Sequence, residues 1–342
     1  MRRYFSDLIG NDTLCARLGA ELEEGRLSHA YLIVGPPGSG KHTLARCLAA
    51  ALACEARETA DAVPCGKCAA CQSILADRDP DVISISRGER MTLGVEQLRE
   101  MMEELYIAPN WHEDKIYIIE DAQTMTAQAQ NALLIALEEP PPHVRFFLLC
   151  TDPDAMLETV RSRAQMLRMA YILPEQMRDW LCRHDRRVAA LAESNPEEFA
   201  AITLTADGSI GAALGLLDAR RRKPVMARRE QAEQLLRLFT ARHTPTEVLA
   251  AIHALPQKRD EAAALLNLAA LGARDLLAIK RAPECRLCFY INRETVQTMA
   301  EQISVAALLR LQDAIAAAQT ALERNANLRI TWLTFAQSTG LL

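Results

Sequence analysis

Aromatic residues are scarce, only 5% of 342 positions, and positive charge is not in excess: 39 Lys and Arg stand against 44 Asp and Glu, a formal net charge of -5. A chain so balanced has no global field to draw it onto nucleic acid, so any DNA contact must come from a local patch or from partners. No apolar run approaches membrane-span length, and the opening Met1-Arg-Arg-Tyr-Phe-Ser-Asp7 leads into no apolar core of signal-peptide length. A cytoplasmic chain without membrane contact is therefore expected. Internal repeats and low-complexity tails are lacking too. In that compartment the ten cysteines read as reduced thiols or metal ligands rather than disulfides.

What is present is half hydrophobic and 24% charged, over a length beyond what one hydrophobic core usually organises. Up to about residue 170, short apolar runs alternate with amphipathic stretches. The runs are Tyr31–Val34, Val82–Ile85, Ile116–Ile119, Arg145–Cys150 and a weaker one at Gln165–Met169. Continuous apolar runs suit strands buried on both faces, and the alternation implies a doubly wound parallel α/β domain. After Tyr171 the strand signal vanishes. Short helices are expected at Pro174 to His184, Val188 to Glu193, Pro196 to Ala201 and Gly211 to Leu217. The charged stretch Arg220-Arg-Arg-Lys-Pro224 reads as a hinge. Ala/Leu-rich helical periods then continue to Arg324, interrupted near Pro256 and Pro283, as in a helical bundle.

Gly35-Pro36-Pro37-Gly38-Ser39-Gly40-Lys41 follows the first of these runs and opens a helix at His42-Thr43-Leu-Ala-Arg, the context a phosphate-binding loop requires. Its backbone N–H groups and helix N-terminus suit phosphate, and Lys41 would reach the β- and γ-phosphates of ATP or ADP. The residue after the lysine should carry a hydroxyl for Mg²⁺. Here it is His42, and Thr43 comes one step late, about 100° round the helix. Mg²⁺ coordination is therefore doubtful although nucleotide binding can survive.

Cys54, Cys65, Cys68 and Cys71 form a C-x10-C-x2-C-x2-C pattern suited to a closed, structural Zn²⁺ site; free buried thiols are the alternative. Cys285 and Cys288 form a second C-x2-C pair without further ligands nearby, and read as core thiols. Cys15, Cys47, Cys150 and Cys182 read as packing residues. The seven histidines show no metal spacing. Arg220 to Lys223 reads either as a phosphate contact or as a solvated helix end.

Further motifs carry a family resemblance. Asn131-Ala-Leu-Leu-Ile-Ala-Leu-Glu-Glu-Pro-Pro141 resembles the N-A-L-L-K-x-L-E-E-P-P segment of bacterial clamp-loader subunits. Phe5-Ser-Asp-Leu-Ile-Gly-Asn11 and Ser28-His-Ala-Tyr-Leu32 look like segments near their nucleotide site. Thr151-Asp-Pro153 resembles their sensor-1 region, and Ser162-Arg163-Ala164 their S-R-C motif, with Ala164 in place of Cys. The resemblance covers roughly residues 5–218. It implies an AAA+ P-loop domain over 1–172 with a zinc module inserted at 54–71, a small helical lid over 173–222, and an all-α C-terminal collar over 223–342. The collar fits by helical character only.

Within the family, the departures resemble the delta-prime type rather than a motor. AAA+ ATPases carry Asp then Glu after the third strand, to organise Mg²⁺ and activate water; here Glu120-Asp121 are reversed, a degenerate Walker B pair or a plain acidic strand end. The lid reads Gly208-Ser-Ile-Gly211, with Gly in place of the motor's Arg, and the chain's end at 342, short of tau's extension, points the same way. Arg163 stays intact. The resemblance implies an arginine finger acting in trans on a neighbour's ATP; capping a helix or pairing with a surface carboxylate is the alternative. Implied partners are the loader's gamma/tau and delta subunits, and through them the β sliding clamp and primed DNA of DNA polymerase III. An active gamma-type ATPase motor and an unrelated AAA+ remodeller are the alternatives.

Overall fold

The computed structural model describes residues 3–6, 8–88, 90–184, 186–240 and 244–341. Met1, Arg2 and Asp7 of the motifs above lie outside them. The chain forms two compact units, residues 1–185 with 207–212 and residues 186–206 with 213–342. The helices of residues 173–222 are shared between both.

In the first unit the described elements run β1 (Arg3–Tyr4), α1 (Asp12–Glu23), β2 (Ala30–Val34), α2 (Lys41–Leu52), β3 (Ala62–Val63), α3 (Ala69–Leu75), β4 (Val82–Ile85), α4 (Val95–Glu104), β5 (Lys115–Ile119), α5 (Ala127–Glu138), β6 (Val144–Cys150), α6 (Glu158–Arg161), β7 (Gln165–Arg168) and α7 (Pro174–His184). All five expected runs are strands of one parallel sheet in the order β4-β5-β6-β2-β7. β1 and β3, two residues each, pair separately. This is a doubly wound parallel α/β arrangement with a glycine-rich loop between β2 and α2.

The strand period explains why the central runs are apolar on both faces. Along β2, Tyr31 and Ile33 point into one core with Phe147 and Leu149, against α1 and α2. Leu32 and Val34 point into the other with Phe146 and Leu148, against α4 and α5. Residues two apart share a face, so a strand covered on both sides must be apolar at every position. Because β2 lies between β6 and β7, the chain leaves β2 for the far edge and returns. That crossover opens a crevice beyond the carboxyl ends of β2, β5 and β6, where α/β sheets hold ligands.

The second unit is helical. Its centre is the helix Arg259–Arg281, which packs against Ala219–Arg237, Arg293–Gln302 and Val305–Glu323. By length and composition this helix could cross a membrane, which corrects the expectation that no run approaches that length. Leu265, Leu266, Ala269, Ala273 and Leu276 are instead fully buried in the unit's own core, and Asp275 is buried among backbone N–H groups of Cys288, Phe289 and Tyr290. The expected hinge at Arg220–Pro224 is also corrected: Ala219–Arg237 runs as one helix through Pro224. Asp218 caps its start by accepting from Arg220 N, and the helix continues past Pro224, its sixth residue, although that position has no N–H to donate to the Arg220 carbonyl.

Candidate nucleotide-binding site and cysteine cluster

β2 ends at Val34 and the chain turns through Gly35–Gly40 into α2. The glycines are required: Gly38 and Gly40 have φ of +72° and +88°, and a Cβ at Gly35 would fall 2.6 Å from Ser39 Oγ. Lys41 Nζ folds back to donate to the carbonyls of Gly35 (2.7 Å) and Pro36 (2.8 Å). Burial lowers the ammonium below its ordinary pKa, opposed by the Asp121 carboxylate. The loop thus closes on its own lysine, which can exchange carbonyls for phosphate oxygens.

His42 does not dangle. Its Nε2 lies 3.0 Å from Glu120 Oε1, at the end of β5, with both side chains about one-third exposed (35% and 36%). Thr43 is exposed. Asp121 takes a left-handed backbone conformation, φ +47°. Its carboxylate faces Arg87 Nε at 3.9 Å and accepts from Gln123 Nε2 at 3.3 Å. Gln123 Oε1 in turn accepts from Thr151 N, 3.2 Å away, just beyond β6. Gln123 thereby ties Asp121 to Thr151, a link the sequence reading missed because glutamine carries no motif signal. Mg²⁺ asks for near-octahedral oxygen ligands at about 2.0–2.1 Å. Here the hydroxyl position holds an imidazole that already engages the facing carboxylate, so these residues do not fit Mg²⁺.

Residues 207–212 close over the loop. A Cβ at Gly38 would lie 2.2 Å from Ser209 Oγ. Gly208, φ +79°, packs against the ring of Tyr171, whose hydroxyl donates to Asp207 Oδ1 at 2.7 Å. A Cβ at Gly211 would meet nothing within 4 Å.

Arg163 follows α6. One guanidinium nitrogen sits 2.5 Å from Glu138 Oε1 and another donates to Thr159 O at 3.0 Å. The side chain is 36% exposed, and Glu138 belongs to the N-A-L-L-type segment that carries the family resemblance.

The four cysteines come together between α2 and α3. All are free thiols, their sulfur atoms lie within 4.8 Å of one another, and Cys65 Sγ is 3.9 Å from Cys71 Sγ. Tetrahedral Zn–S bonds of about 2.3 Å set the sulfurs nearly 4 Å apart. Gly66, φ +68°, turns the chain so that Cys68 N donates to Cys65 Sγ and Cys71 N to Cys68 Sγ, both 3.4 Å. N–H groups of Lys67 and Cys68 hold the Cys65 thiol down to about 6, while burial pushes Cys54 and Cys71 up. This donor set fits Zn²⁺, and four protein sulfurs leave no open position for chemistry.

A second cluster, Asp79, Asp81 and His112, also gathers its ligand atoms within 4.8 Å. Internal donors already use it: Asp81 accepts from the N–H groups of Asn110, Trp111 and His112, and Asp79 Oδ2 faces His112 Nε2 at 2.9 Å. A cavity of about 860 Å³ lies nearby, lined by Cys54, Arg57, Ile74, Trp111 and Asp114; no phosphate-loop residue borders it.

Residues 10–172 match the family described as DNA polymerase III, delta subunit. Over those residues the chain is similar to a DNA polymerase III subunit family. The chain is 36% identical over 214 residues to DNA polymerase III subunit tau of Salmonella typhimurium, covering 63% of this chain and 32% of that protein. It is 35% identical over 219 residues to subunit gamma of Buchnera aphidicola, covering 63% of this chain and 58% of that one. The chain thus spans between a third and three-fifths of the length of these curated relatives. Among solved structures, a gamma subunit-related protein of Thermotoga maritima superposes with a TM-score of 0.41 at 17% identity, over 95% of this chain and 98% of that one. The phosphate loop, Glu120-Asp121 and Ser162-Arg163-Ala164 lie within the residues that this family description matches.

Proposed function

We propose that the chain is a delta-prime-type subunit of a DNA polymerase III clamp loader, a stator that joins gamma/tau and delta subunits in a hetero-oligomeric ring. Through that ring it would act on the β sliding clamp and primed DNA. Its own pocket grips a nucleotide without hydrolysing it, its four cysteines hold a structural Zn²⁺, and Arg163 serves the ATP of a neighbour. The observation that carries this reading is the His42–Glu120 contact at 3.0 Å, which places an imidazole and its carboxylate where a motor needs a hydroxyl, a metal and an activated water. Arg163 has a local partner in Glu138, so reaching a neighbour's phosphate means exchanging one anion for another, a step that costs little at a surface.

A gamma-type motor is the second reading. The complete glycine loop, Lys41 and the 35–36% identity to subunits named gamma and tau favour it. Reconstitution with gamma and delta subunits of a clamp loader, comparing wild type with Arg163→Ala, tests the proposal. The variant ring should assemble normally yet lose DNA-stimulated ATPase at the one site the arginine serves, where a finger is worth roughly 10³–10⁵ in rate. Unchanged hydrolysis by the variant ring would refute the donated finger.

A further inference from the structure

We infer that the pocket at Lys41 takes a nucleoside diphosphate free of its divalent cation, with the His42–Glu120 pair standing in the cation's place. This rests on the proposed reading of the pocket as one that holds a nucleotide without splitting it. His42 is the second residue of α2 and Glu120 the first beyond β5, so their contact spans the gap between the phosphate loop and the acidic strand end. A hard cation entering that gap would find an imidazole where it wants oxygen, and a carboxylate already accepting a hydrogen bond. The second carboxylate, on Asp121, is engaged by Arg87 and Gln123. A metal–nucleotide complex would therefore have to break two sets of contacts and gain few ligands.

A metal-free nucleotide keeps everything else the loop offers. The N–H groups of Gly38–Lys41 and the start of α2 suit the α- and β-phosphates, and Lys41 Nζ can leave the Gly35 and Pro36 carbonyls for phosphate oxygens. The imidazole keeps the Glu120 carboxylate hydrogen-bonded beside those phosphates, easing the repulsion a bare carboxylate would exert. A third phosphate would add negative charge that a cation normally offsets, and Lys41 alone meets it poorly. This argues for the diphosphate over the triphosphate.

The test is calorimetric titration of ADP into the full chain, loaded with zinc and held in buffer passed over chelating resin, with and without excess MgCl₂. ADP should bind without magnesium. Its apparent affinity should fall about tenfold or more when magnesium sequesters the competent free form. Lys41→Ala should bind in neither buffer, and the His42→Thr, Glu120→Asp double variant should reverse the order, binding more tightly with magnesium. Equal or tighter wild-type binding in magnesium would overturn the inference, as would no binding in either buffer. Equal or tighter binding in magnesium leaves the proposed reading standing, because that reading fails on hydrolysis rather than on metal preference; no binding in either buffer removes the nucleotide-gripping pocket from it as well.

Discussion

Single side chains decide most of this site, and the one that does so most cleanly outside the pocket is Asp81. It is fully buried, and its two oxygens accept from Asn110 N (2.7 Å), Asn110 Nδ2 (3.0 Å), Trp111 N (2.6 Å) and His112 N (3.1 Å). Burial alone would push its carboxyl up, but these donors hold it below the ordinary carboxylate range. Its folded pKa is therefore depressed, so its stabilising contribution is complete above the unfolded value of about 4 and is lost as pH falls through the lowered folded value. Asp81→Ala should cost roughly 2–3 kcal/mol at neutral pH, taking the acceptor from several part-buried N–H groups, and the penalty should shrink toward strongly acidic pH. Urea unfolding at a series of pH values checks both; a penalty independent of pH would show that packing, not charge, is what Asp81 supplies. At the same scale the sequence disclosed identities but not pairings. His42, Glu120 and Arg163 were visible as departures from or matches to a pattern. That His42 reaches Glu120, that Arg163 rests on Glu138, and that Gln123 bridges to Thr151 depends on long-range placement that no local spacing encodes.

At the scale of elements, legibility follows the strength of the local period. Strands buried on both faces read as apolar runs, so β2 and β5 were plain, whereas β7, with exposed Gln165 and Arg168, gave the weaker signal. β1 and β3 are two residues each and pair through a long-range contact, so they gave no signal. Pro224 misled because the helix that contains it is held by packing against Arg259–Arg281, a tertiary contact that charge and proline content do not reveal. The cysteine turn was legible because C-x2-C spacing is local; the remote Cys54 joins it only because α2 ends beside α3. Purified protein should carry one zinc per chain. Changing Cys65 and Cys68 to Ser should release it and lower the first unit's Tm by ~10 °C, from a few kcal/mol of lost metal binding at about 2–4 °C each. Elemental analysis with differential scanning calorimetry checks this, and a zinc-free wild-type protein of unchanged Tm would remove the metal from the account.

For the whole molecule, the two units differ in how much they disclose. The first carries motifs in a fixed order along a sheet whose crossover builds the crevice. The second is an Ala/Leu-rich helical core in which Arg259–Arg281 is the central stave, and composition identifies such a bundle without saying what its outer faces meet. The account's central claim concerns the first unit acting alone: a loop that holds phosphate beside an imidazole–carboxylate pair that displaces metal and water chemistry. The most direct test is steady-state ATP turnover by the isolated full chain in magnesium, with Lys41→Ala as control. The account predicts no turnover above that control; robust turnover that disappears in Lys41→Ala would contradict it.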